Sequence, residues 1–188
     1  MGLKVYDKIR FSSVSSNPAS SPSPEAFRRA CGRFATGVTV VTVMDRQGRP
    51  QGFTANSFTS VSLNPPLILV CVDLRARILD FLHEGSVFNI NVLRATQREL
   101  SVRFATPAED RFAGVAWSPS AAGAPRLEGA LSLLECCVER VLTEGDHVIV
   151  VGRVLDVEAD EGEPLVYFGS AYRALAPDNS GPAGPTAG

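Results

Sequence analysis

With two histidines, four cysteines and one tryptophan in 188 residues, the chain has few places where chemistry could sit. His147 lies in Glu144–Arg153, EGDHVIVVGR, where a turn runs into an apolar strand. Its imidazole can be read as a hydrogen-bonded structural group capping the turn through Asp146, as a metal ligand, or as a group that holds a substrate. His83 ends an amphipathic helical pattern, where an imidazole suits the C-terminal dipole. Cys31, Cys71, Cys136 and Cys137 show no CxxC spacing, and the adjacent pair would point to opposite faces of a strand, so structural thiols and no metal site are expected. The run Gly52–Ser62, GFTANSFTSVS, crowds small hydroxyl and amide side chains at a strand end. Those groups and the backbone N–H could ring a phosphate, or they could satisfy their own turns. Arg77 could supply the cation that run lacks, or stand as a solvated residue. No Ser/His/Asp or paired-carboxylate arrangement is visible: Glu135, Glu139, Glu144 and Asp146 fall in turns or alternate along strands. The GxGxxG and GxxxxGK[ST] patterns are absent, so any nucleotide must be held another way.

The elements that must position these groups read as follows. Forty-five per cent apolar residues allow one domain with its own core. A formal charge of −2 with scattered cations offers no field for nucleic acid. The N-terminus lacks an apolar leader run, Tyr6 breaks a myristoylation pattern, and no stretch approaches membrane-spanning length, so a cytoplasmic chain with no membrane partner is expected. Ser/Pro-rich residues 1–23 and the Pro/Gly-rich residues 176–188 are expected to be flexible, leaving a folded domain over 24–175.

Within that domain Ser23 and Pro24 signal a helix start, with Phe27, Ala30, Cys31 and Phe34 on one face and a stop near Gly37. VTVVTV at 38–43 and the segment through Phe53 predict a hairpin. LILVCV at 67–72 predicts a strand buried on both faces. Residues 75–84 predict a helix, 86–93 a strand, and TQRELSVRFA a second helix with Leu100 and Phe104 inward. A long loop around Trp117 follows, and then a second hairpin over 129–158. Many strands joined by short turns predict a mainly β fold, an antiparallel β-barrel with a few peripheral helices.

The segments FRRACGRFATGVTVVTVMDRQGRPQGFTANSFTSVSLNPPLILVCVD, FNINVLRATQRELSVRFA and GDHVIVVGRV together resemble the flavin reductase family with the FMN-binding split-barrel fold, small reductase components of two-component flavin monooxygenases. The likeness runs from about Phe27 to Leu175. It implies an NADH-dependent (or NADPH-dependent) reductase of FMN, or of FAD or riboflavin, working as a homodimer that passes reduced flavin to a partner flavin-dependent monooxygenase.

By the resemblance, Thr36, Val38, Thr39 and Val40 would run along the isoalloxazine ring and offer it backbone hydrogen bonds. Thr54, Ala55, Asn56 and Ser57 would hold ribityl and phosphate groups. Cys71, Val72 and Asn91 would pass near the ring, and Phe104 with Ala105 would close the pocket. Relatives often carry Ser or Thr in the stretch matching Ala76-Arg77-Ile78; here Ala76 and Ile78 cannot donate, which shifts weight to Arg77 and Ser57. His147 would contact the nicotinamide, helped by Tyr172. Hydride transfer asks for orientation more than acid–base work, which accords with the missing triad. The competing readings are a reductase that retains its flavin and passes electrons to ferric complexes or a protein, and a non-catalytic flavin- or haem-binding split-barrel carrier or sensor.

Overall fold

The computed structural model describes residues 21–176. The expected flexible segments 1–23 and 176–188 lie almost wholly outside the described residues. Helix α1 spans Pro24–Cys31; the Ser23 hydroxyl accepts the Ala26 N–H and Pro24 occupies the first turn, as the N-cap pattern requires. The strands are β1 Thr36–Gly37, β2 Thr39–Met44, β3 Pro50–Ala55, β4 Thr59–Leu63, β5 Pro66–Asp73 and β6 Val87–Val92, with a 3₁₀ turn at Arg77–Phe81. A 3₁₀ turn at Ala95–Gln97 leads into α2, Arg98–Ala105. Then come β7 Trp117–Pro119, β8 Pro125–Leu127, the long β9 Ser132–Glu144 and β10 His147–Ala159, and finally β11 Val166–Phe168 and β12 Ala171–Arg173.

Seven strands form one antiparallel sheet in the order β3-β2-β6-β9-β10-β5-β4. β3 and β4 are its two edges, yet only residues 56–58 join them. Laid flat, seven strands would separate those edges by about 29 Å at the usual interstrand spacing. The four chain steps from Ala55 to Thr59 can reach only about 14 Å. The sheet therefore curls until its edges approach, which makes the expected antiparallel split barrel.

Two apolar clusters use opposite faces of β2. Val41 and Val43 point into the barrel with Ile68, Val70, Val72, Phe88, Ile90, Val138 and Val150. Val38 and Val40 point outward against Phe104, Phe112, Leu127 and Leu165. With a core on each side, β2 is buried along nearly its whole length, and its hydroxyls need internal partners: Thr39 donates to the Ala55 carbonyl and Thr42 to that of Pro125.

Several expectations are corrected. Residues 75–84 form only the short 3₁₀ turn Arg77–Phe81, because Asp73 turns the chain through the Arg75 N–H and Ile78 and Leu82 are its buried anchors. β5 is not buried on both faces: Ile68, Val70 and Val72 face inward while Leu67, Leu69 and Cys71 are partly exposed. The loop around Trp117 contains the β7–β8 hairpin. α1 buries none of its residues, and its apolar face leaves Phe27 exposed.

Candidate active site

β3, α2 and the 3₁₀ turn Arg77–Phe81 enclose a cleft of about 430 Å³, walled by Gln51–Thr54, Arg75–Ile78, Phe104, Ala105 and residues 107–111. The floor is fixed by close packing. A Cβ built on Gly52 would stand 2.8 Å from the Phe104 ring, so only glycine lets the buried ring lie against β3. Thr54 ties the wall to α2 by donating to the Ser101 carbonyl at 2.6 Å, and the Ser101 hydroxyl meets the Tyr172 hydroxyl at 2.8 Å. Arg98 covers the Tyr172 ring with its guanidinium 5.2 Å from the centroid.

Three arginines line this cleft, and Arg75 is paired with Asp73 at 2.7 Å. Arg111 is partly buried and donates to the Gly52 and Thr106 carbonyls, each at 2.9 Å. Burial, and then the charge of Arg77, push its pKa below the usual value. Arg77 is exposed and leans toward the Ala108 carbonyl at 3.5 Å. Neither is in an ion pair among the described residues. Two cations outside any ion pair offer charge-assisted donors to an anion, in a cleft that Glu109 and Asp110 also line.

Beside it, register links the remaining candidates. Thr39 pairs with Ala55, Ser57 bonds both backbone groups of Cys71, and Asp73 pairs with His147. Ser57 accepts from Cys71 N at 3.0 Å and donates to Cys71 O at 3.1 Å, so its proton is committed to tying the β3–β4 connection to β5. The His147 ring is partly exposed, with Nδ1 2.7 Å from Asp146 Oδ1. The hydrogen bond from His147, then its charge, hold the Asp146 carboxyl below its ordinary pKa. An ionised carboxylate can only accept, so Nδ1 is the donor and Nε2 is the edge left to a ligand. Hydrogen bonding from Arg75 likewise lowers the pKa of Asp73.

Arg77, Thr54, Phe104 and Ala105 thus share one cleft, with Ala55, Asn56 and Ser57 continuing from its β3 wall. Tyr172 stands behind α2, while His147 belongs to the β5–β10 end and touches none of the cleft residues through a side-chain hydrogen bond. Asn91 lies in the core: its amide donates to the Val40 carbonyl and the Thr42 hydroxyl, each at 3.0 Å, and its oxygen accepts from Leu127 N at 2.8 Å. The Val40 and Val72 side chains are likewise fully buried. Thr39 and Val40 sit in a strand paired on both sides, leaving Thr36 to Val38 as the part of that stretch with backbone outside the double ladder.

Sequence reasoning missed Arg111, because an arginine in a Pro- and Gly-broken segment carries no periodic signal. The chemistry of the cleft fits a flavin phosphate ester in that Arg77 and Arg111 line it outside any ion pair; the Thr36 hydroxyl, which is not among the lining residues, is buried without a protein hydrogen-bond partner among the described residues. Among the described residues no three His, Cys, Asp or Glu side chains converge at metal-ligand spacing, and no helix is long and apolar enough to cross a membrane.

Residues 31–176 match the flavin reductase like domain. The chain is 47% identical over 149 residues to a probable flavin reductase of Rhizobium meliloti (strain 1021), covering 79% of this chain and 48% of that protein. It thus spans about half the length of that relative. It is 37% identical over 166 residues to the flavin-dependent monooxygenase, reductase subunit HsaB, of Rhodococcus jostii (strain RHA1), covering 88% of this chain and 85% of that one. Among solved structures, the Streptomyces globisporus NADH:FAD oxidoreductase SgcE6, in complex with NAD and FAD fragments, superposes with a TM-score of 0.78 at 39% identity, covering 86% of this chain and 99% of that one. The match over nearly all of the described residues, the shared antiparallel barrel and the fit of the cleft converge: this chain belongs to the flavin reductase-like domain family.

Proposed function

We propose that this chain is an NADH-dependent flavin reductase whose flavin lies in the β3–α2 cleft and that serves a flavin-dependent monooxygenase. The observation that carries the reading is the pair Arg77 and Arg111, two cations without carboxylate partners at the wall of a cleft of about 430 Å³. When bound there, flavin and nicotinamide supply the redox chemistry, a hydride passing from the reduced nicotinamide to the flavin. The protein's part is orientation and exclusion of water. Arg77 and Arg111 hold the phosphate, the backbone of Thr36–Val38 borders the ring, and Phe104 and Ala105 close the wall. Asn56, exposed at the end of β3, is free to reach the ribityl chain. His147, oriented by Asp146, presents Nε2 to the nicotinamide carboxamide, and Tyr172 buttresses α2 through Ser101.

The chain works as a homodimer. That reading is supported by apolar side chains left in the open, Phe27 at 60%, Phe34 at 76% and Val157 at 60% exposure. The four cysteines are unpaired thiols, which favours the cytoplasm. The test is the rate of NADH oxidation by purified protein with and without added FMN, FAD or riboflavin. A saturable rate that requires added flavin is expected. Binding of flavin without oxidation of NADH or NADPH would leave a carrier and remove the role given to His147. Sedimentation velocity checks the dimer.

A further inference from the structure

The tip of the β7–β8 hairpin covers a group of buried oxygens that take no part in lining the flavin cleft. Asn89 on β6 and Glu135 on β9 are register partners, so their side chains leave the sheet side by side on one face, with Cβ atoms about 5 Å apart. Asn89 is fully buried and Glu135 is 5% exposed. Both reach the same tip. Asn89 Nδ2 donates to the carbonyls of Ala124 and Pro125, each at 3.1 Å, and the two Glu135 oxygens accept from Ala122 N at 3.1 and 3.0 Å. Ser120 closes the tip, its N–H sharing the Ala124 carbonyl with Asn89. Because both amide hydrogens of Asn89 go to carbonyls, the way its amide lies is fixed and Oδ1 is the atom left over. Asn89 Oδ1 and Ser120 Oγ are buried without a hydrogen-bond partner, and Glu135 is in no ion pair, among the described residues.

A carboxylate shut away from water with a single N–H for its two oxygens is unfavourable, and an amide oxygen beside it is a further acceptor with nothing to accept. Oxygens gathered in a dry place call for positive charge among them. We propose that Glu135, Asn89 Oδ1 and Ser120 Oγ bind an alkali cation beneath the hairpin tip. Carboxylate, amide and hydroxyl oxygens are hard donors, which suit such an ion. One carboxylate balances one positive charge, whereas a divalent ion would leave a net charge buried. The ion seats the hairpin that carries Trp117. That ring packs edge-on to Phe112 at 5.9 Å between centroids, and Phe112 meets Phe104 of the flavin cleft at 4.9 Å, so the site is joined to the cleft wall by packing.

Trp117 is the only tryptophan in the chain, so its fluorescence reports how the hairpin is seated. The full chain is titrated with sodium chloride or potassium chloride from about 1 to about 100 mM, choline chloride holding the ionic strength constant, and thermal unfolding is followed in parallel. A saturable change in emission and a rise of about 4 °C in the unfolding temperature are expected with at least one of the two ions. Ser120→Ala removes an oxygen that bonds nothing else among the described residues, so the variant should fold and bind the ion at least about threefold more weakly. Glu135→Gln removes the charge and should abolish the response. Absence of a response to either ion overturns the proposal, and so does an undiminished response in Ser120→Ala, which decides the matter even if Glu135→Gln does not fold. A chain indifferent to both ions whose unfolding temperature climbs as pH falls, with the climb lost in Glu135→Gln, overturns it as well, since a proton shared by Glu135 and Asn89 would then stand in the place given to the ion.

Discussion

Arg77 and Arg111 line one cleft but differ in what else they hold. Arg111 also bonds the Thr106 carbonyl in its own segment and fastens that segment to β3 through the Gly52 carbonyl, so its removal would disturb the cleft wall as well as the charge. Arg77 is exposed and, among the described residues, makes one long side-chain hydrogen bond, which makes it the cleaner probe. Losing a charge-assisted bond to phosphate should raise the Michaelis constant of Arg77→Ala for FMN about tenfold. Riboflavin has no phosphate, so its constant should stay within about twofold, and parallel steady-state titrations decide the matter. A rise for both flavins would mean that Arg77 shapes the cleft instead of holding the anion. His147 calls for a paired test. His147→Ala removes the Nε2 contact and should raise the constant for NADH about tenfold. Asp146→Asn keeps the ring but loosens its tautomer and orientation, and a smaller rise of a few-fold is expected. Sequence reasoning singled out His147 and Arg77 because each stands in a recognisable run. It could not find Arg111, whose role arises only when residues 107–111 fold back across β3, nor foresee that Ser57 is held by Cys71.

The elements show why that fold-back holds. The β7–β8 hairpin is pinned to β2, β6 and β9 by polar groups buried beneath it. Asn89 donates to the carbonyls of Ala124 and Pro125, each at 3.1 Å; Asn91 receives Leu127 N; and the Glu135 carboxylate receives Ala122 N at 3.0 Å. Replacing Asn91 by Ala would orphan Leu127 N and break two further bonds in a fully buried place. A loss of about 2 kcal/mol in denaturant unfolding is expected, with the slope unchanged. If stability were unaltered, water would have to replace the amide and the network would not be what seats the hairpin. β-branched runs and the turn at Thr143–Asp146 made β2, β9 and β10 legible, since period and turn chemistry are local. The β7–β8 hairpin was not, because its strands are three residues each and its partners are asparagines distant in sequence. The failed helix at 75–84 has a similar origin. Apolar spacing suggested a helix, but two anchors, Ile78 and Leu82, are met by a tighter turn once Asp73 has bent the chain.

Closure of the sheet is a property of the whole chain, and it sets the chemistry of its interior. The antiparallel β fold follows from counting strands and short turns, whereas the approach of the edges β3 and β4 follows from strand order, which no local pattern encodes. Cys136 is a consequence. It faces the barrel core with no exposure, and burial, then the charge of Glu135 and the neighbouring Cys137, push its thiol pKa from 9.0 up to about 12. A folded-state pKa raised above the unfolded value means that between those limits the unfolded chain gives up a proton that the folded one keeps. The associated stability is complete below pH 9 and drains away as pH climbs toward 12, by at most about 1.4 kcal/mol per unit. Other groups also titrate there, so the informative quantity is the stability gap between the native chain and Cys136→Ala. The cavity cost of that substitution does not depend on pH, and the remaining titrations are common to both proteins. The gap should narrow steadily from pH 8 to pH 11 in urea unfolding; a constant gap would mean that water reaches this sulfur and that the curled sheet is less tightly closed at β9 than the packing of Phe88 and Val138 requires.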